Sequence, residues 1–143
     1  MTKELEEQLY KKYPNLFIQR RWSIQESAMG WGFQCDDGWY ELIDVLCSKL
    51  SSNVEATTVK EKFGGLRFYI NNGTDKDYEL IFQAQRDSYR ICESCGSTNQ
   101  VKQTKGWIST LCKKCLKDKK VKIPWKQLFL TPFKLIFGEN NAK

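Results

Sequence analysis

Apolar positions along the chain fall into runs whose spacing switches between the helical period and the strand period, and these runs mark most of the elements before any chemistry is considered. The clearest is Trp39, Leu42, Ile43, Leu46, Cys47 and Leu50, spaced i, i+3, i+4, i+7, i+8 and i+11, which predicts a core helix capped by Asp36-Asp37. Glu41, Asp44 and Ser48 fall on its polar side. Cys47 lies within the stripe and reads as a small buried hydrophobe rather than a nucleophile. A shorter stripe, Leu5, Leu9 and Tyr13, predicts a first helix capped by Thr2 and stopped by Pro14. Its early glutamates and its late Lys11 and Lys12 complement the helix dipole. After the Asn71-Asn72-Gly73 turn, with Thr74 or Asp75 as cap, Tyr78, Ile81, Phe82, Gln85 and Tyr89 predict a third helix running into Cys92.

Between the second and third helices the period becomes two. Residues 54–70 predict a β-hairpin turning at Gly64-Gly65, where both residues accept positive φ. That register sets Phe63 opposite Leu66, Lys62 opposite Arg67, Glu61 opposite Phe68 and Lys60 opposite Tyr69. Val59, Phe63, Leu66, Phe68 and Ile70 then share a face that should cover the Trp39 stripe, and Lys60, Lys62, Arg67 and Tyr69 share the other. Glu61 interrupts the apolar face, which points to a rim position, a lysine partner or a bulge. The polar face gathers three cations around an aromatic ring, a pattern that suits an anionic ligand and equally a solvated sheet face. Residues 15–35 carry no steady period: Phe17, Ile18, Trp22 and Ile24 suggest a short strand, and Gly30-Trp31-Gly32-Phe33 a tight aromatic turn or a second strand.

The chemistry of the chain is concentrated in Cys92-Glu-Ser-Cys95-Gly96 and, sixteen residues on, Cys112-Lys-Lys-Cys115. Two CxxC pairs at this separation form the four-thiolate pattern of a zinc site, each pair making one knuckle. Gly96 suits the positive φ that follows the second thiolate of a knuckle. A pair of disulfides is the rival reading, and the charged start Met1-Thr-Lys-Glu-Leu-Glu-Glu argues for a cytoplasmic chain rather than a secreted one. Four thiolates leave no coordination position open for water, so the Zn2+ is expected to be structural, one per chain. Val101–Thr104 and Trp107–Leu111 read as two strands joined at Lys105-Gly106, the hairpin of a zinc ribbon. Metal binding alone falls short of the entropy lost in ordering such a module, so it must also pack on its neighbours.

The expected fold is therefore α+β: a helix and β-hairpin domain over residues 1–91, a zinc-ribbon-like module over 92–116, and a basic, aromatic tail over 117–143. The net charge of +6 is uneven. Residues 1–89 hold fourteen acids against eleven bases, whereas 90–126 hold ten bases against two acids, leaving the module positive even after four thiolates on Zn2+ contribute about −2. Such a field favours phosphate-bearing or acidic partners, although a lysine-rich solubilising face has the same composition. The tail begins Lys117, Lys119, Lys120, Lys122 and continues with Trp125, Leu128, Phe129, Phe133, Ile136 and Phe137. A helical face formed by these residues, kinked at Pro132, would fold back on the domain, meet a partner, or make a weak membrane-surface contact through 119–137.

The chain has no histidine, which excludes serine or cysteine hydrolysis with a histidine base, and no catalytic residue is assigned. A carboxylate-dependent nuclease would need Asp36, Asp37, Glu41 and Asp44 to converge with Glu61. Binding has more support. Lys102, Lys105, Lys113 and Lys114 flank Trp107 in the module, and with Lys60, Lys62, Arg67 and Tyr69 of the hairpin they form a candidate surface for nucleic acid. Arg90 is the only arginine of the basic segment, so little base-specific reading is expected. A host protein is the alternative partner. Gly38-Trp39-Tyr40-Glu41-Leu42-Ile43-Asp44, the string Val59–Tyr69, and Cys92 through Gly106-Trp107-Ile108 to Cys112 together resemble a family of small proteins of phages and prophages. The resemblance covers roughly residues 1–116. It implies a bacterial-cytosol setting and a phage accessory role, and implies nothing about catalysis.

Overall fold

Trp39, at the end of a 3-10 turn, and Ile43 and Leu46 in the helix that continues it are buried, as their spacing requires, and Val59, Leu66 and Phe68 of the sheet belong to the same apolar cluster. The computed structural model describes residues 1–122, in the order α1 (Lys3–Lys12), 3-10 turns at Ile18–Arg21 and Ala28–Trp31, β1 (Phe33–Gln34), and a third 3-10 turn (Asp37–Trp39) that runs into α2 (Tyr40–Lys49). Then come β2 (Glu55–Lys62), β3 (Gly65–Asn71), α3 (Asp75–Ser88), β4 (Val101–Gln103), β5 (Thr110–Cys112) and α4 (Lys113–Lys122). Among the described residues the strands form two small sheets, β1-β2-β3 with β1 parallel to β2, and an antiparallel β4-β5 pair. The class is mixed α and β. No described helix is long and apolar enough to cross a membrane.

The hairpin turns one residue earlier than its glycines suggest. Lys62 pairs with Gly65, and the two loop residues are Phe63 (φ 53) and Gly64 (φ 79), both left-handed as a two-residue hairpin of this kind demands. Glu61 consequently faces Leu66, Lys60 faces Arg67 and Thr58 faces Tyr69. Phe63 leaves the core face and is 65% exposed. Glu61 stays at the rim, where its carboxylate accepts the N–H of Gly64 at 2.6 Å. A bulge does occur, but between Ala56 and Thr58, and it is what lets Ala56 and Val59 both point inward.

The aperiodic stretch makes no strand before Phe33. Its N–H groups close three-residue turns instead, Arg20 to Phe17, Trp22 to Gln19, Gly30 to Ser27 and Gly32 to Met29, all at 3.0 to 3.2 Å. Phe17 is driven inward, where it meets Tyr10 at 5.6 Å, Phe33 at 5.2 Å and Phe68 at 6.4 Å between ring centres. Ile18, Trp22, Ile24 and Trp31 are left on the surface.

Helix termini show two further departures. Thr2 occupies the cap position of α1 without a side-chain bond; its N–H donates to the Asp37 carboxylate at 2.6 Å instead. In α3 the buried positions are Asp77, Ala84 and Ser88, with Leu80 and Ile81 half-buried, while Tyr78 and Phe82 are exposed. The inward face is thus rotated from the one the aromatic residues mark. Asp77 turns inward because it closes a capping box with Thr74 and also accepts the N–H and O–H of Ser51 at 2.9 and 3.0 Å. α4 crosses the expected boundary at 116, carrying Cys115 and Lys117 on one helix. The apolar tail positions beyond Lys122, and with them most of the 119–137 stretch read for a membrane surface, lie outside the described residues.

Candidate metal centre and the adjoining cleft

Cys92 follows α3 and opens a tight turn in which the N–H of Gly96 donates to the Cys92 carbonyl and the N–H of Cys92 to the Ser97 carbonyl, both at 2.8 Å. Gly96 has φ 79, so the glycine after the second cysteine does sit where a side chain is disfavoured. Cys112 ends β5 and Cys115 lies in the first turn of α4. The four sulfur atoms come within 4.8 Å of one another, and together they are the only grouping of three or more potential ligands among the described residues. Cys95 and Cys112 are 3.7 Å apart at sulfur, far longer than the ~2 Å of a disulfide. The cysteines are thus free thiols arranged so that they could hold a metal ion.

The clustered thiols shift one another in opposite directions. Burial, then the neighbouring thiols, push Cys115 up to about 12. The backbone N–H of Cys115, 3.5 Å from the Cys112 sulfur, leads the effects that bring Cys112 down to about 7. A dication among the sulfurs would stabilise every thiolate form at once.

The module is seated on the α+β part through backbone. The N–H of Gly38 donates to the Glu93 carbonyl at 2.7 Å, and a side chain at 38 would begin only 2.2 Å from the Cys92 oxygen, which explains glycine there. The Trp39 indole donates to the Ile91 carbonyl at 3.0 Å. Glu93 is 6% exposed and accepts the N–H of Asp36 at 3.2 Å. Burial, with Asp36 next, pushes its carboxyl up to about 7. On the other flank, the Thr110 hydroxyl donates to the Gly64 carbonyl at 2.5 Å, and Gln103 to the Tyr89 carbonyl at 3.0 Å. The module therefore packs on its neighbours, as its small size requires.

The Thr110 bond brings the tips of the two hairpins together. Glu61, Lys62 and Phe63 on one side and Gly106, Trp107 and Ile108 on the other line a cleft of about 310 Å³. Trp107 is 87% exposed, and Lys62 Nζ lies 5.6 Å from the centre of the Phe63 ring. Lys105 is exposed in the loop beside Trp107. On the open sheet face Lys60 pairs with Arg67, whose guanidinium donates to the Leu66 carbonyl at 3.2 Å, and Tyr69 is exposed two residues along. Lys102 is exposed on β4 opposite Leu111. Lys113 and Lys114 line a different groove, with Cys95, Ser97, Gln100 and Lys117, which shares no residue with the cleft. Of the residues expected on one surface, Lys62 and Trp107 thus line the cleft at the hairpin tips, and Lys113 and Lys114 line the groove beside the thiols. Phe63 and Ile108 are the apolar cleft residues that sequence reasoning missed, and Glu61 and Gly106 complete the lining. Phe63 had a signal in its position before a glycine pair, which allows a Phe-Gly turn one residue earlier than the Gly-Gly one, at the cost of left-handed strain.

Four of the five carboxylates considered for a nuclease, Asp36, Asp37, Asp44 and Glu61, each have another partner, and among the described residues no three of the five gather as potential metal ligands. Asp44 binds Lys12 at 2.9 Å and the Tyr13 hydroxyl at 2.7 Å, Asp37 holds Thr2, Asp36 lies 3.8 Å from Lys119, and Glu61 caps the hairpin turn. The chain matches no family model, no curated protein and no solved structure.

Proposed function

We propose that this chain is a non-enzymatic binding protein that uses a structural zinc ion to hold a basic, aromatic surface, and that the surface binds nucleic acid. Zinc fits the donor set: thiolates at ~2.3 Å around a tetrahedral ion stand about 3.8 Å apart, close to the 3.7 Å between Cys95 and Cys112. With four thiolate ligands no position remains for substrate or water, so the ion supports structure. The reading fits a zinc-ribbon-like module and a phage accessory protein working in the bacterial cytosol, the setting its family resemblance implies.

The observation that carries the binding role is the meeting of the two hairpin tips, where Lys62 lines one cleft with the exposed rings of Phe63 and Trp107 and Lys105 is exposed two residues before Trp107 in the same loop. Beside them Lys60 and Arg67 stand directly opposite, a like-charge pair that is unfavourable until an anion intervenes. Phosphate-bearing polymers supply that anion together with rings to stack. Binding should weaken with ionic strength by about 0.9 per phosphate contact on a logarithmic plot for duplex DNA. The double reversal Lys60→Glu with Lys62→Glu should lower affinity at least tenfold with zinc content unchanged. Salt-independent affinity, or full affinity in the double reversal, refutes the reading.

A second reading, binding of a host protein, has its own observation. Trp22, Ile24 and Trp31 are exposed around Gly30, where added side-chain bulk would meet Ile24 at 3.2 Å. Large apolar side chains gathered on a surface are the usual anchors of protein interfaces. Retention of the host partner on a Trp22→Ala, Trp31→Ala variant would count against it.

A further inference from the structure

The cleft at the hairpin tips is preorganised, and its shape selects among nucleic acids. Its floor is fixed because Gly64 packs against Ile108 and Thr110, and the Thr110 hydroxyl holds the Gly64 carbonyl. Its far wall is fixed because Thr104 clamps the loop that carries Trp107. The Thr104 hydroxyl donates to the Trp107 carbonyl at 2.6 Å and accepts the N–H of Ser109 at 2.8 Å, and the Thr104 N–H donates to the Ser109 carbonyl at 2.9 Å. The near wall is Phe63, whose backbone gives an independent signal. A bulky residue at φ 53 is strained, and asparagine or glycine would serve the turn better. Nothing in the core explains the choice, since the ring is mostly exposed. Strain retained at an exposed aromatic residue is a mark of function.

We propose that this cleft receives an unpaired nucleobase against the rings of Phe63 and Trp107, so that the ligand is single-stranded nucleic acid bound with little sequence preference. The inference rests on the nucleic-acid reading above and deepens it. A volume of about 310 Å³ lies at the small end of ligand sites, which suits one flat ring system. In a duplex the faces of the bases are buried in the stack, and only edges and phosphates are presented. An aromatic cleft therefore gains stacking energy only from an unpaired base. The charge near the cleft is suited to a backbone passing by: Lys62 lies over the Phe63 ring, and Lys105 is exposed in the loop two residues before Trp107. The one carboxylate of the lining, Glu61, is bound to the N–H of Gly64. Lysine rather than arginine at the rim supplies charge without the planar fork that reads base edges.

The test uses the full-length, zinc-loaded chain with three probes: a fluorescent oligothymidylate, a duplex of the same length, and inorganic polyphosphate. Oligothymidylate is expected to bind at least tenfold more tightly than duplex. Trp107→Ala should weaken it by about 5- to 100-fold while leaving the weaker duplex and polyphosphate affinities unchanged. Trp107→Phe should restore most of the affinity and abolish the ligand-induced quenching of tryptophan emission. Equal affinity for single strand and duplex, with Trp107→Ala affecting neither, overturns the inference and leaves the nucleic-acid reading standing. Absence of binding to all three probes overturns both. Polyphosphate binding as tight as oligothymidylate, lost in Lys62→Glu but not in Trp107→Ala, shows a phosphate site and also overturns it.

Discussion

Asp77 carries out two tasks with one carboxylate, closing the cap with Thr74 and holding Ser51, and its titration exposes them. Burial alone would raise its pKa, but the N–H and O–H donors of Thr74 and Ser51 outweigh that and hold it at about 2, below the ordinary 3.8. Because the folded value is depressed, the contribution to stability is fully present above the unfolded value and is lost as pH falls through about 2. Asp77→Asn is therefore expected to destabilise the chain by about 1.5 to 3 kcal/mol near pH 7, the usual worth of hydrogen bonds to a buried charge. The gap between the two proteins in thermal melts should close between pH 4 and pH 2. A gap that stays constant over that range would mean that the neutral side chain does the same work. The cap itself was legible, since Thr74 precedes a helical pattern with an acid three residues on. The bond to Ser51 was not: it links residues 26 positions apart, at the ends of two elements whose approach only the tertiary structure sets.

At the scale of elements, the hairpin separates what periodicity determines from what it leaves open. Alternation placed Val59, Leu66, Phe68 and Ile70 on the buried face, because moving a two-residue turn by one position preserves which residues share a face. It did not place Phe63, which belongs to the face only if the turn starts after it. The two readings predict different energetics. Phe68→Ala should cost about 3 to 5 kcal/mol by denaturant melting, as for a buried aromatic residue. Phe63→Asn should raise stability by about 0.5 to 1 kcal/mol through relief of left-handed strain, while weakening single-strand binding. A loss above 1 kcal/mol for Phe63→Asn would restore Phe63 to the core and the turn to Gly64-Gly65. The α2 stripe was legible for the same reason as the buried strand face, since long apolar periodicity overrides local detail. The α3 face was not, because a buried acid and two small residues line it while Tyr78 and Phe82 point outward. Residues 15–35 lack a period because they are built of short turns around one inward ring, Phe17.

At the scale of the molecule, the described residues form two apolar clusters of unequal size that share one seam. The larger is built from α1, α2, α3 and the three-stranded sheet; the smaller contains Cys92, Leu111 and Cys112, with Val101, Cys115 and Leu116 against it. The smaller cluster buries too little to order its own segment, so its fold should depend on the metal, whereas the larger has the core of an ordinary small domain. Removal of the ion by a chelator at neutral pH is therefore expected to act in one region. Amide exchange should accelerate at Cys92, Glu93, Gly96 and Thr104, whose N–H groups are bonded within the module, while the β2–β3 ladder keeps its protection. The cleft should fail with the module, because Trp107 is held by Thr104 and the floor by the Thr110 bond to Gly64. Single-strand binding should then fall although Phe63, Lys62 and Trp107 are chemically unchanged. Readdition of zinc should restore protection and binding together. If the β2–β3 amides lose protection at the same chelator concentration, the seam through Gly38, Trp39 and Glu93 makes the metal a support of the entire fold. Unchanged exchange throughout would mean that packing alone holds the four cysteines in place.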